Sequence, residues 1–234
     1  MIINKIIAVE GLDKTGKSTF VNTFEEVYES FNGDNGNILK KFSFPNATTP
    51  IGKTIRDELN STSPNTTDIV NSPNFLAEMS HFWMNEIYNI HYVNNTSPTN
   101  NDLTKVPTTT NTNYIFDRYF ISTLAYQAFY NNSKTDLEFI KAVLNTNNFV
   151  KLPTDIIMLD LPNEIIIERT LADSDQGLVD VNDTTDVAII NQRREAYKSA
   201  VNFLKGMGIK IHWFEDVSNI DSYDLVKVLM GKIF

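Results

Sequence analysis

The stretch Gly11-Leu12-Asp13-Lys14-Thr15-Gly16-Lys17-Ser18 fits the spacing G-x-x-x-x-G-K-[ST]. Those residue types in that order can hold a chain of phosphates. Water normally solvates such a charge. A loop can replace the water only if its backbone N–H groups point inward unblocked, and Gly11 and Gly16 lack the Cβ that would interfere. A helix following the loop adds the positive end of its dipole. Lys17 is then placed to reach the β- and γ-phosphates, and Ser18 to ligate Mg²⁺. The pattern carries this meaning only between a strand and a helix. Residues 2–9 are an apolar, β-branched run that reads as a buried strand. Residues 19–28 carry apolar side chains at helical spacing.

A second constellation lies at Asp117-Arg118, behind the short apolar run Tyr114-Ile115-Phe116. An acid at the end of such a strand holds Mg²⁺, usually through water. Arginine is a planar fork that grips a phosphate through paired hydrogen bonds. An acid for the metal beside an arginine for another phosphate points to two phosphate groups meeting over one Mg²⁺. That is kinase rather than hydrolase chemistry. A GTPase would need a guanine-reading N-K-x-D, and the nearest segment, Asn4-Lys5-Ile6-Ile7, ends in Ile. The acceptor is either a nucleotide phosphate or a sugar hydroxyl. A phosphate, with a second pKa of about 6, is already largely ionised at neutral pH and needs no general base. Positioning and charge neutralisation then supply the catalysis, with Lys14, Lys17, Arg118, Arg169 and Mg²⁺ as candidates.

These residues need a scaffold, and the chain reads as alternating strands and helices. A turn at 32–37 leads to a strand over 38–44, ended by Pro45, and a short helix over 50–59. Ser72-Pro73 opens a helix through Phe75, Met79, Phe82, Trp83 and Ile90. Its aromatic stripe reads first as core and second as a ligand wall. Residues 94–113, rich in Asn, Thr and Pro, read as a long exposed loop. The strand at 114–116 is followed by helices through 120–129 and 136–144. A buried strand spans 155–161, and Pro162 opens a helix ending near Leu171. Residues 172–185, polar and acidic, read as a small mobile lid. A helix over 186–204, a strand over 209–214 and a helix over 220–230 close the chain. This alternation predicts an α/β fold of three layers: a five-stranded parallel sheet in one domain, with helices on both faces. Ligands in such sheets bind at the carboxyl ends of the strands, where Lys14, Pro45, Asp117 and Pro162 should gather.

The 234 residues are enough for a large core, and 41% are hydrophobic, which argues against disorder. The net charge of −9 disfavours nucleic acid as a partner. The absence of cysteine excludes disulfides and thiolate chemistry and fits a reducing cytoplasm. No run approaches the ~20 apolar residues of a membrane span, and no basic leader or signal peptide is read at the N-terminus.

Taken together, the motifs resemble the thymidylate kinase family, P-loop nucleoside monophosphate kinases. Val9-Glu10-Gly11-Leu12-Asp13-Lys14-Thr15-Gly16-Lys17-Ser18-Thr19 is similar to F-E-G-x-D-x-x-G-K-S-T. Phe44-Pro45 with Ile51-Gly52 resembles F-P-x-R…I-G. Asp117-Arg118-Tyr119 with Ser122 and Ala125-Tyr126-Gln127 resembles D-R-Y…S…A-Y-Q, and Arg193-Arg194-x-x-Tyr197 resembles the helix leaving the lid. The resemblance implies transfer of the ATP γ-phosphoryl group to dTMP, with Mg²⁺, in a homodimer packed through the Phe75 helix and the helix after Tyr119. It implies ATP contacts from Gly11, Asp13, Lys14, Thr15, Gly16, Lys17, Ser18, Thr19 and Arg169. Acceptor contacts fall to Asp13, Pro45, Phe75, His81, Phe82, Arg118, Tyr126 and Asn182, and metal contacts to Ser18 and Asp117.

The departures bear on specificity. Asn46 stands where an arginine follows Phe-Pro. The Phe75 helix lacks the arginine of F-x-x-x-R, and His81 is taken as its nearest replacement. The resemblance implies a catalytic basic residue either in the P-loop or, in a second subtype, as an arginine in the lid. Residues 172–185 contain no Lys or Arg, so the chain resembles the P-loop subtype, with Lys14 at that position. A kinase for dUMP or a 5-substituted dUMP, a deoxynucleoside kinase, whose general base Glu10 could be mistaken for, and a non-catalytic nucleotide-binding module stay open as alternatives.

Overall fold

The computed structural model describes residues 2–32, 37–61, 72–88, 111–146, 150–176 and 183–234. Strands β1 (Ile2–Glu10), β2 (Ile38–Ser43), β3 (Asn111–Asp117), β4 (Asp155–Leu159) and β5 (Lys210–Phe214) form one parallel sheet in the order β2-β3-β1-β4-β5. The helices are α1 (Lys17–Asn32), α2 (Pro50–Ser61), α3 (Ser72–Tyr88), α4 (Phe120–Thr123), α5 (Lys134–Thr146), α6 (Asn163–Asp175), α7 (Val187–Leu204) and α8 (Ser222–Ile233). α4 runs on into a π-helical stretch, Leu124–Tyr130.

Alternation along β1 sorts the two cores. Ile7 and Val9 face α1 and α8 and pack with Phe20, Phe24 and Leu229. Ile6 and Ala8 face the other way, into Met79, Trp83, Phe120 and Tyr197. Helices therefore cover both faces, as the alternation of elements predicts. The register levels the carboxyl ends of three strands, with Val9 opposite Asp117 and Asp117 opposite Ser43. Gly11, Phe44 and Arg118, which follow those ends, share one edge.

Two boundaries near the site differ from the sequence reading. β3 begins at Asn111, so residues 111–113 of the expected loop are strand. Thr112 and Asn113 are buried between β1 and β2, whose backbones supply the hydrogen bonds that composition alone does not reveal. α6 continues to Asp175, so 172–175 of the expected lid are helix. In the helix after Tyr119, Phe120, Ile121, Leu124 and Ala125 are buried in the core, while Phe129 is only partly covered. Residues 94–110 and 177–182 lie outside the described residues.

Candidate active site

β1 delivers the chain into a loop over 11–16 that ends in the first turn of α1. Gly11 sits at φ 146 against the carbonyl of Leu159, where a Cβ would overlap the oxygen. Gly16 takes φ 86. Lys14 and Arg118 both adopt φ 66, a left-handed conformation that costs non-glycine residues energy and collects at functional sites. The loop is tied internally. Thr15 Oγ1 donates to the Leu12 carbonyl at 2.9 Å, and Lys17 Nζ donates to the same oxygen at 2.5 Å. Lys17 is buried, and burial followed by the nearby Arg118 charge brings its ammonium down to about 8.

Opposite the loop, Ser18 Oγ donates to Asp117 Oδ2 at 2.5 Å. Arg118 is held on four sides. Its Nη1 donates to Gly11 O at 3.1 Å, Ser122 Oγ at 3.2 Å and Tyr197 Oη at 2.9 Å, and its Nη2 donates to Asp13. Burial opposes the Arg118 charge, but Asp13 outweighs it and holds the guanidinium well above its usual range. Burial likewise pushes the Asp13 carboxyl up, yet Arg118 and Lys17 together keep it below the usual carboxylate range.

Glu10 lies beneath this array with no exposed surface. It accepts from Tyr119 N at 2.7 Å, from Ser122 N at 3.3 Å and from Ser122 Oγ at 2.6 Å. Burial raises its carboxyl to about 7, against the lowering effect of Ser122 and Arg118.

Two cavities meet at this edge. The larger, about 570 Å³, is lined by Lys14, Gly16, Lys17, Ser18, Thr19, Asp117 and Arg169. The smaller, about 240 Å³, is walled by Pro45, Phe75, Met79, Tyr126 and Gln127. Asp13, Phe44, Arg56 and Arg118 line both. Arg169 Nη1 donates to the Lys14 carbonyl at 2.8 Å and so braces the loop.

The structure thus brings together nearly every residue named from sequence, with Gly11 and Thr15 inside the loop itself. Two acceptor candidates are not at the cavity. His81 is exposed and pairs with Asn85 at 3.3 Å. Phe75 and Met79, four residues apart, share the face of α3 that lines the cavity, and two residues further on the helix has turned by about 200°. The F-x-x-x-R spacing counted from Phe75 falls on Met79, not His81. Phe82 packs among Phe42, Phe44 and Trp83 rather than against the cavity. Asn182 lies outside the described residues.

Sequence reasoning missed Met79, Arg56 and Arg193 as cavity residues. Helical spacing from Phe75 could have found Met79. Nothing local marks Arg56, which reaches back from α2 to donate Nε to Pro45 O at 2.9 Å. Arg193 lies over the rings of Tyr126 and Tyr130, 5.8 and 5.7 Å from their centroids. Its neighbour Arg194 is committed to structure, with bonds to Asp160, Asn163 and the Leu161 carbonyl at 2.8–2.9 Å.

The family model for thymidylate kinase matches residues 9–209. The chain belongs to the thymidylate kinase family. It is a nucleoside monophosphate kinase, a phosphotransferase that carries out ATP-dependent phosphorylation of dTMP. Among solved structures, it is similar to the thymidylate kinase of Candida albicans, with a TM-score of 0.62 and 20% identity over 99% of this chain and 91% of that one. The thymidylate kinase of Ehrlichia chaffeensis gives 0.51 and 17% over 98% and 97%. A search of curated proteins returns no match. Among the described residues of this kinase, no helix is long and apolar enough to cross a membrane.

Proposed function

We propose that this kinase seats ATP in the larger cavity and dTMP in the smaller, with the two phosphate ends meeting where Asp13 and Arg118 line both. That shared boundary is the observation that carries the reading. The loop amides over 11–16, with Lys17, Ser18 and Thr19, bind the donor phosphates. Arg118 grips the acceptor phosphate, and Arg56, at the same boundary, adds a second cation where the family's arginine is Asn46. Asp13 accepts from the 3′-hydroxyl of the acceptor. Lys14 and Arg169 neutralise charge that develops on the transferred group.

Mg²⁺ fits the site. Ser18 and Asp117 are hard oxygen donors that already touch, and Mg²⁺ binds through one or two such groups together with substrate phosphates. When bound, the ion neutralises phosphate charge. Pro45, Phe75, Met79 and Tyr126 form the walls that exclude water from the acceptor. No general base is required. Glu10, the candidate base of a deoxynucleoside kinase, is already engaged by Tyr119 and Ser122, which disfavours transfer to a 5′-hydroxyl.

Base preference is broader in this reading than in the family pattern, because Met79 and not arginine stands one turn beyond Phe75. The Candida albicans thymidylate kinase is itself a protein of broad substrate specificity, and dUMP is the related acceptor to compare. The kinase is further proposed to act in the cytoplasm, consistent with a chain lacking cysteine, and as a homodimer, a state that sedimentation tests directly.

The test is steady-state turnover with ATP and Mg²⁺ across dTMP, dUMP, dCMP, dGMP and thymidine. We expect dTMP to lead, dUMP to follow and thymidine to be inert. Arg118→Ala should lower turnover by about a hundredfold while the protein still binds ATP. Preference for thymidine, or near-normal turnover by Arg118→Ala, would overturn the assignment.

A further inference from the structure

Residues 172–185 carry no basic side chain, yet the structure draws two of their acids onto the P-loop. Asp173 Oδ2 lies 2.6 Å from Lys14 Nζ, and Asp183 Oδ2 lies 2.9 Å from it. Asp173 sits in the last turn of α6, and Asp183 just ahead of α7, so the two carboxylates come from opposite ends of the connection between those helices. All three side chains line the larger cavity.

We propose that Asp173 and Asp183 are positioning residues that hold the Lys14 ammonium at the mouth of the phosphate cavity and bind both ends of the α6–α7 connection to the P-loop. The inference rests on the role given to Lys14 above.

Lysine needs such help more than arginine does. Its ammonium is a compact point charge on a flexible stem, without the fixed geometry of a guanidinium. Here the residue is fixed twice over. Arg169 and Asp173, one turn apart on α6, face it together. Arg169 takes the Lys14 carbonyl and so secures the left-handed backbone, while Asp173 takes the ammonium. Asp183 completes the grip from the α7 side. Its side chain is only 1% exposed, so removing the cation would strand a buried carboxylate. Burial works against the Lys14 charge, but the bonds to Asp173 and Asp183 prevail and hold its ammonium above the usual range. An ammonium has three donors, and the two acids occupy two. One remains for a phosphate oxygen. The family's alternative of an arginine within the lid is thereby replaced by a P-loop lysine that the lid's acids orient.

A double-mutant cycle tests the assignment. Asp183→Asn should lower kcat about tenfold with little change in the KM for ATP, and Asp173→Asn, at a more exposed site, should lower it less. In a Lys14→Met background neither substitution should lower kcat further, because each acts through the ammonium. Equal losses with and without Lys14, or unchanged kcat with a lower KM for ATP, would overturn the proposal. The second result would make the acids competitors of the nucleotide. A readout independent of turnover is acetylation of Lys14 by acetic anhydride, followed by mass spectrometry. Labelling should rise severalfold in either Asp variant, and equal labelling in all forms would also overturn it. Thermal melts of each variant exclude a general loss of fold. If Lys14→Met alone matches the wild type while Arg118→Ala is inactive, the clamp falls and the two-cavity reading stands.

Discussion

The Arg118 guanidinium donates to the Asp13 carboxylate on the wall that both cavities share. A charge pair in that position serves two ligands at once. If Asp13 accepts from the sugar hydroxyl while Arg118 holds the phosphate, Asp13→Ala should erase discrimination between dTMP and its 3′-deoxy analogue. A hydrogen bond to a charged acceptor contributes about 1.5–3 kcal/mol, so the wild type should favour dTMP by about ten- to a hundredfold in kcat/KM. Competition kinetics with the two acceptors measure the ratio. Equal use of both by the wild type would remove Asp13 from this role.

Lys17 gives the donor side a pH signature. Its ammonium stands at about 8 in the free protein because it is buried and close to Arg118. Bound phosphates favour the charged form, so its pKa rises in the complex. Below pH 8 the residue is protonated in both states and contributes no pH dependence. Above pH 8 ATP binding must take up a proton, and affinity should fall by up to about tenfold per pH unit. Calorimetry at pH 9 in buffers of different ionisation enthalpy should detect the uptake. Identical heats in all buffers would contradict it.

Glu10 predicts a pH effect on stability. Its carboxyl is raised from the ordinary 4.5 to about 7 by burial. A carboxyl raised in the folded state contributes stability that is full below 4.5 and is lost as pH climbs through 7. A shift of this size corresponds to about 3 kcal/mol. Denaturant unfolding of the wild type should therefore weaken between pH 5 and 7, and Glu10→Gln should show a flatter profile over that window. Parallel profiles would mean that Glu10 is ionised throughout.

On α3 two neighbouring positions should behave oppositely. Met79 is 1% exposed and lines the smaller cavity. Met79→Ala should cost about 2–5 kcal/mol of stability and raise the KM for dTMP while leaving that for ATP unchanged. His81 points to solvent, and His81→Ala should stay within about 0.5 kcal/mol of the wild type with normal kinetics. A kinetic defect in His81→Ala would reverse the assignment of the helix face.

Gly52 tests how the acceptor wall is fixed. It packs where a Cβ would overlap the Asn46 carbonyl oxygen and Glu78 Oε1. Glu78 Oε1 in turn accepts from Asn46 N at 2.7 Å, directly after Phe44-Pro45. Gly52→Ala must push this turn outward, so it should lower the melting temperature and raise the KM for dTMP more than that for ATP. Unchanged acceptor kinetics would show that the turn does not shape the cavity.

The sequence alone determined the glycine loop behind the first strand, the succession of strands and helices along the chain, the sheet edge at which Lys14, Pro45 and Asp117 gather, and the adjacency of Asp117 and Arg118 at a strand end. These depend on spacing within a few residues: a glycine where no Cβ fits, an apolar period of 2 or 3.6, an acid and an arginine at the end of a strand. Tertiary structure decided which distant side chains meet. The rotation of α3 turned Met79 inward and His81 outward. The packing of α2 sent Arg56 back to Pro45, and the strands on either side drew polar Thr112 and Asn113 into the sheet. The approach of α6 and α7 to the loop set Asp173 and Asp183 against Lys14. These contacts span from 11 residues of chain, between Arg56 and Pro45, to 159, between Lys14 and Asp173, and each depends on the rotation and packing of a whole element, which no local pattern encodes.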